Sequence, residues 1–278
     1  QMAAKQRKTA AEKNAEKEAQ AKAMAEAKEL AANVDLRDFD VILVSTSGGK
    51  DSQTLLRLIM KKAEAAGVVD RVVAVHADLG RMEWEGVVDL VKAQAEALNV
   101  PRMIITKRTE NDLLDHAISR GKWYGPGTLY CRSEHKRGPI LRVMTQLVNE
   151  VHGNERDSKA NPSKIGRPVR VLNVMGMRAQ ESTKREKMLP YEVNERATNG
   201  RREVIDWLPL HEWTEEQVWI DICESGVPHH QAYDLGMPRL SCVFCPFAAM
   251  NEDCGRDLML LAGQHNRGLL REMAAAES

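Results

Sequence analysis

The chain has 278 residues, 43% hydrophobic and 29% charged, with 40 Lys/Arg balanced by 40 Asp/Glu. That length suits one sizeable α/β domain with appendages and excludes two full domains, and zero net charge leaves only local charge to select partners. No apolar run approaches the roughly 20 residues of a membrane helix, and the charged N-terminus lacks the apolar stretch of a secretory signal.

These features predict a cytoplasmic protein with no membrane partner. In a reducing compartment its five cysteines are expected as thiols or metal ligands rather than disulfides. Residues 1–33 contain twelve Ala, and Leu30 is their only branched aliphatic residue. High helix propensity without an apolar stripe predicts a solvated helix, with a partner-docking or nucleic-acid-touching arm as the alternative.

Val41-Ile-Leu-Val-Ser-Thr46 is short, apolar and β-branched, as a strand covered on both faces should be. A Gly-containing turn follows, then a helical pattern over 53–66. Residues 71–76 read as a second strand, 85–98 as a second helix, 102–106 as a third strand and 110–120 as a third helix. Residues 153–168 read as a long exposed polar loop, and 169–175 resume as a strand. Thr214 and Gln217 form a capping box opening a helix that runs through Cys223, which is expected in the core. Alternating strands and helices predict an α/β fold with a doubly wound parallel sheet, whose ligands bind beyond the carboxyl ends of the strands.

Ser47-Gly48-Gly49-Lys50-Asp51-Ser52 lies between the first strand and first helix. Two glycines let backbone N–H groups approach an anion, and the helix N-terminus adds its dipole and unpaired donors. Ser47 and Ser52 supply hydroxyls and Lys50 supplies charge. Asp51 beside a polyanion suits either Mg2+ binding or helix capping. The spacing is not that of the Walker A loop.

This turn resembles the PP-loop, Ser-Gly-Gly-x-Asp-Ser, of the ATP pyrophosphatases, which split ATP between its α and β phosphates. Further elements resemble the phosphoadenosine phosphosulfate (PAPS) reductase branch of that superfamily. They are His76-Ala-Asp78-Leu-Gly80, Gly176-Met-Arg178-Ala-Gln-Glu181-Ser182, Pro209-Leu210 with Trp213-Thr214 and Val218-Trp219, and Tyr233, Gly236 and Arg239 before Cys242. The resemblance spans residues 38–250. It implies ATP and Mg2+ as cofactors, with Ser45, Ser47, Gly48, Gly49, Lys50, Asp51, Ser52, His76, Asp78, Gly176 and Arg178 at the nucleotide. Lys50, Asp51 and Arg178 are the catalytic candidates. Lys50 would neutralise pyrophosphate, Asp51 with Asp78 would handle Mg2+ or ribose, and Arg178 would stabilise charge at the α-phosphate.

Cys242-Val-Phe-Cys245 is a CxxC pair; Cys254 lies nine residues on and Cys131 far upstream. Four thiolates suit either a four-iron–four-sulfur cluster or a structural zinc; the resemblance favours the cluster. Adenylyl-sulfate reductases with a cluster carry adjacent cysteines at the first site, whereas Tyr130 precedes Cys131 here. The reductases also use a Glu-Cys-Gly-x-His tail, and no cysteine follows Cys254. The pattern is closer to the DNA phosphorothioation sulfurtransferases.

Residues 151–202 hold twelve Lys/Arg against six Asp/Glu, a local excess of +6, and Arg132, His135, Lys136 and Arg137 add to it. A basic surface fits nucleic acid or a phosphosulfate nucleotide. The primary expectation is an enzyme that adenylates a phosphate-containing substrate for sulfur transfer, with a sulfur donor such as a cysteine desulfurase. A thioredoxin-dependent PAPS or adenylyl-sulfate reductase and a non-catalytic nucleotide-binding assembly subunit are the alternatives. A homodimer or larger assembly is left open. Three segments are expected: a helical extension at 1–36, the nucleotide-binding domain at 37–210 and a cysteine-bearing helical segment at 211–278.

Overall fold

Val41–Ser45 (β1) is the hub of the molecule, and its first four residues are buried because neighbours cover both faces. The computed structural model describes residues 9–108, 111–125, 127–153, 165–250 and 254–277. Five further strands join β1: Val72–Ala77 (β2), Met103–Thr106 (β3), Val169–Val174 (β4), Tyr191–Val193 (β5) and Arg202–Trp207 (β6). Their order is β3-β2-β1-β4-β6-β5. All neighbours are parallel except β5, which runs antiparallel along the edge of β6.

Eleven α-helices surround the sheet among the described residues. They are α1 (Ala10–Ala32), α2 (Lys50–Ala66), α3 (Val87–Ala97), α4 (Leu113–Arg120), α5 (Tyr130–Arg132), α6 (Gly138–His152), α7 (Thr183–Glu186), α8 (Glu215–Ser225), α9 (Pro246–Ala249), α10 (Gly255–His265) and α11 (Arg267–Ala276). A π-helical turn, Ser133–Arg137, joins α5 to α6.

Strand side chains alternate between two apolar layers. Ile42, Val44, Leu172, Val174, Ile205 and Trp207 pack with Leu55, Leu56 and Ile59 of α2. Leu43, Val73, Val75, Val171 and Val204 face Val143, Met144 and Leu147 of α6. The chain leaves β1 for β2 and later returns to β4 on the opposite side of β1. The crevice between the ends of β1 and β4 is therefore the topological switch point, where open α/β sheets place their ligands. A third apolar cluster joins Leu79, Trp84 and Tyr130 to Met237, Val243 and Leu258, so the cysteine-bearing segment shares packing with the first half of the chain. Among the described residues no helix is long and apolar enough to cross a membrane.

Several expectations need correction. The first helix begins at Lys50 rather than 53, with Gly49 as its N-cap. The third begins at Leu113, because the Asp112 carboxylate accepts the Asp115 N–H at 2.9 Å. Helix α1 is not wholly solvated: Ala27 is buried, and the Trp207 indole donates to the Ala31 carbonyl at 3.1 Å. Small side chains four residues apart let the helix backbone approach that ring.

Cys223 is exposed, not in the core. The buried face of α8 is set by Val218 and Ile222, and the next residue turns roughly 100° away from it. Strands β5 and β6 have no counterpart in the sequence-based reading. Most of the polar loop at 153–168 lies outside the described residues.

Candidate nucleotide and phosphate site

Thr46 extends the β1–β2 ladder by one bond, to the Val75 carbonyl at 2.9 Å, and the chain then turns sharply into α2. Gly48 adopts φ +71°, a left-handed conformation that glycine enters without steric cost. Ser52 braces the turn, accepting the Ser47 N–H at 3.1 Å and donating to the Gly49 carbonyl at 2.9 Å. From the other side of the switch point, Gly176 lies against the first turn of α2. A Cβ there would meet the Asp51 carbonyl oxygen at 3.0 Å.

Above this turn opens a cleft of about 720 Å³. Ser45, Ser47, Gly49, Asp51, Ser52, His76 and Gly176 line it, so seven of the expected nucleotide residues share one cavity. Its walls also carry six cations: Arg132, Lys136, Arg137, Arg185, Arg196 and Arg239. Asp51, Glu83, Glu181 and Asp206 supply the carboxylates.

Gly48, Lys50, Arg178 and Asp78 stand apart from that wall. The Lys50 ammonium, 3% exposed, donates to the Pro238 carbonyl at 2.6 Å and pairs with Glu215 at 3.3 Å, behind the turn. Arg178 is likewise buried and donates to Asp51 at 2.5 Å and to Gln180 at 2.8 Å. Asp78 accepts the Gly80 N–H at 2.7 Å and lines a second, smaller cleft of about 420 Å³ with Arg81, Trp84 and Glu272.

His76 sits at the end of β2 with Nδ1 3.1 Å from the Thr46 carbonyl and Nε2 3.0 Å from Glu83. Burial disfavours the charged ring. The Glu83 hydrogen bond and charge, with the Thr46 carbonyl, outweigh it and raise the pKa above 6.5. Arg185 moves the other way. Burial pulls its guanidinium down to about 10, Arg239 adds to the fall and Asp51 opposes it. Arg185 also pairs with Glu181. Sequence reasoning did not single out Arg185, one of twelve cations in its stretch; its position four residues after the Glu of the Gly-x-Arg element was the available signal.

Cys131, next to the cleft residue Arg132, lies near the Cys242–Cys245 pair. Cys242 hydrogen-bonds Cys245, which holds the Cys245 sulfur toward the thiolate and keeps Cys242 as the thiol. Cys131 is close enough to feel the Cys245 charge, and Cys131, Cys242 and Cys254 pack on the third apolar cluster. Arg132 stacks on Phe247, 4.6 Å from its ring centre, linking the cleft wall to the cysteine turn. Four thiols match an all-cysteine, four-ligand centre in donor type and number. Among the described residues, however, no three His, Cys, Asp or Glu side chains stand close enough to form a coordination shell.

A mostly parallel sheet, a Ser-Gly-Gly-Lys-Asp-Ser turn feeding a long helix, and a cleft at the switch point define a PP-loop α/β protein. The sequence profile of the phosphoadenosine phosphosulfate reductase domain matches residues 41–248, and the chain belongs to that family. An uncharacterized protein of Methanocaldococcus jannaschii is 26% identical over 212 residues, 76% of this chain and 43% of that protein. The tRNA-cytidine(32) 2-sulfurtransferase of Anaeromyxobacter dehalogenans is 37% identical over 129 residues, 44% of this chain and 42% of that enzyme. The chain thus spans less than half the length of either relative. The phosphate complex of PAPS reductase from Candida auris shares the fold at a TM-score of 0.50 and 22% identity, covering 78% of this chain and 93% of that one.

Proposed function

We propose that this chain is an ATP-using sulfurtransferase that adenylates a phosphate group of nucleic acid, the reaction type of DNA phosphorothioation. The supporting observation is the pairing of the 47–52 turn with six cations around one cleft, a surface suited to two phosphate-bearing ligands at once. In the adenylation step an acceptor phosphate oxygen attacks the α-phosphorus of ATP. A new P–O bond forms to AMP, the α–β bond breaks, and pyrophosphate leaves with its electron pair.

The turn's backbone, braced by Ser52, and the Ser47 hydroxyl hold the departing pyrophosphate, while Arg185 and Arg239 offset charge in the cleft. Asp51, on the cleft wall, is the candidate to hold Mg2+, and Arg178 orients it. Cys131, Cys242, Cys245 and Cys254 are the residues that would hold an iron–sulfur cluster, and such a cluster would supply sulfur-handling chemistry. The similarity to a tRNA sulfurtransferase supports the nucleic-acid acceptor.

The test mixes protein, ATP and Mg2+ with DNA or tRNA under anaerobic conditions and measures pyrophosphate. Release that depends on nucleic acid is expected; none with either polymer overturns the reading. The family match also supports a thioredoxin-dependent PAPS or adenylyl-sulfate reductase. Sulfite formed from PAPS with thioredoxin, without ATP consumption, would establish that activity instead.

A further inference from the structure

Gly48 and Gly49 are glycines for different reasons. Gly48 needs its positive φ, but Gly49 has φ −79° and ψ 160°, a conformation open to any residue. What a side chain at 49 would crowd is Tyr233: a Cβ there would stand 3.2 Å from the phenol oxygen, a tight contact, and 3.5 Å from the Leu240 Cβ. A tyrosine hydroxyl is seated against the phosphate turn at this point.

That oxygen accepts the Lys50 N–H at 2.8 Å and the Leu240 N–H at 3.2 Å. Its ring stands perpendicular to Trp219, with centroids 5.1 Å apart, so the hydroxyl is held in place from behind. A phenol oxygen already accepting two hydrogen bonds retains one function, donation of its own proton. Among the described residues that proton has no acceptor, and Tyr233 lines the cleft with Ser47, Gly49, Ser52 and Arg239. Burial pushes the phenol up to about 12 against the pull of the two N–H groups, so the proton is present at neutral pH.

We propose that Tyr233 is a phosphate-contacting residue: its hydroxyl donates to a phosphate oxygen of the nucleotide over residues 47–52, relaying outward the Lys50 N–H that it caps. The inference rests on the phosphate reading of that turn. It also gives the 233–240 segment, which carries Arg239 into the cleft, a direct role in holding the leaving group.

The test is Tyr233→Phe, which keeps the ring against Trp219 and removes only the oxygen. Pyrophosphate, ATP and adenosine are titrated calorimetrically into both proteins, with thermal midpoints recorded. Tyr233→Phe is expected to weaken pyrophosphate and ATP roughly tenfold or more, as loss of a hydrogen bond to a charged group does, and to leave adenosine unchanged. Equal or tighter pyrophosphate binding, as when a freed Lys50 N–H binds phosphate itself, overturns the proposal. Equal loss for adenosine overturns it too, since that marks a merely structural role. If Tyr233→Phe does not fold, Gly49→Ala crowds the hydroxyl while keeping the phenol, and a weakening of pyrophosphate and ATP that spares adenosine is again required. A wild-type protein that binds neither pyrophosphate nor ATP refutes the phosphate reading of the turn itself, a separate result.

Discussion

Arg178 donates through Nε to Asp51 at 2.5 Å, with the guanidinium 3% and the carboxylate 20% exposed. The pair ties the segment after β4 to the first turn of α2, across the switch point. Removing the guanidinium strands a half-buried carboxylate. Arg178→Met should therefore destabilise the fold by roughly 3 kcal/mol, the low end of the cost of removing one partner from a buried pair. Urea unfolding of Arg178→Met, Asp51→Asn and the double variant measures the coupling. Simple additivity would show that the contact contributes nothing of its own.

Gly176 makes a sharper steric prediction. Its missing Cβ would lie 3.0 Å from the Asp51 carbonyl oxygen and 3.2 Å from the carbonyl carbon, both backbone atoms that cannot swing aside. Gly176→Ala should cost about 1–3 kcal/mol, the usual range for overpacking. Gly200→Ala, with nothing within 4 Å, should stay within about 0.5 kcal/mol. Equal unfolding midpoints for the two variants would contradict the close approach seen at the switch point.

These contacts show what could be read in advance. The turn from Ser47 to Ser52 was legible because strand, glycines and helix start are consecutive in sequence. Gly176 was legible as part of a pattern, but its cause, the carbonyl of Asp51, is a tertiary contact. Strand β6 was not legible. Arg202 and Asp206 interrupt its apolar pattern, and only the folded chain shows Arg202 satisfied by the Ala197 carbonyl at 2.6 Å and Thr145 at 2.8 Å. Lys50 reads as a phosphate ligand by charge alone; its burial against Pro238 depends on a turn nearly 190 residues away.

His76 and His135 set opposite pH limits. The folded pKa of His76 lies above 6.5, so its contribution is complete below pH 6.5 and is lost as pH rises through the folded value. His135 is pulled down to about 4 by burial first, then by His116 and Arg108. It carries no net charge in the folded state at neutral pH, and its contribution is lost as pH falls from 6.5 toward 4. Urea midpoints across pH 4–9 should therefore decline on both sides. Glu83→Gln should flatten the alkaline limb and His135→Gln the acid limb. An alkaline limb unchanged in Glu83→Gln would rule out the His76–Glu83 pair as its source.

The cysteines predict a metal stoichiometry. Anaerobic loading with iron and sulfide should give about four irons per chain if Cys131, Cys242, Cys245 and Cys254 close around a cluster, and serine at any of the four should lower it. Cys223→Ser, exposed on α8, should leave iron unchanged and serves as the control. One zinc per chain would assign the same thiols to a structural site instead. Iron unaffected by serine at 131 and 254 would dismiss the four-thiol arrangement.

The cation ring makes the acceptor testable by salt. Arg185 remains charged at neutral pH even at a pKa of about 10, and Arg239, half exposed, reaches into the cleft with a 3.7 Å contact to Glu181. Each phosphate neutralised adds roughly 0.9 to the slope of log K against log salt on duplex DNA and about 0.7 on single strands. Arg239→Ala and Arg196→Ala should each flatten the slope by about that amount. Lys28→Ala, whose ammonium pairs with Glu212 on the outer surface, should leave it unchanged. A wild-type slope near zero on both polymers removes nucleic acid as the acceptor. A steep slope insensitive to Arg239 and Arg196 would move the contact surface away from the cleft, because an ion pair released at one phosphate cannot be compensated without a matching change in slope.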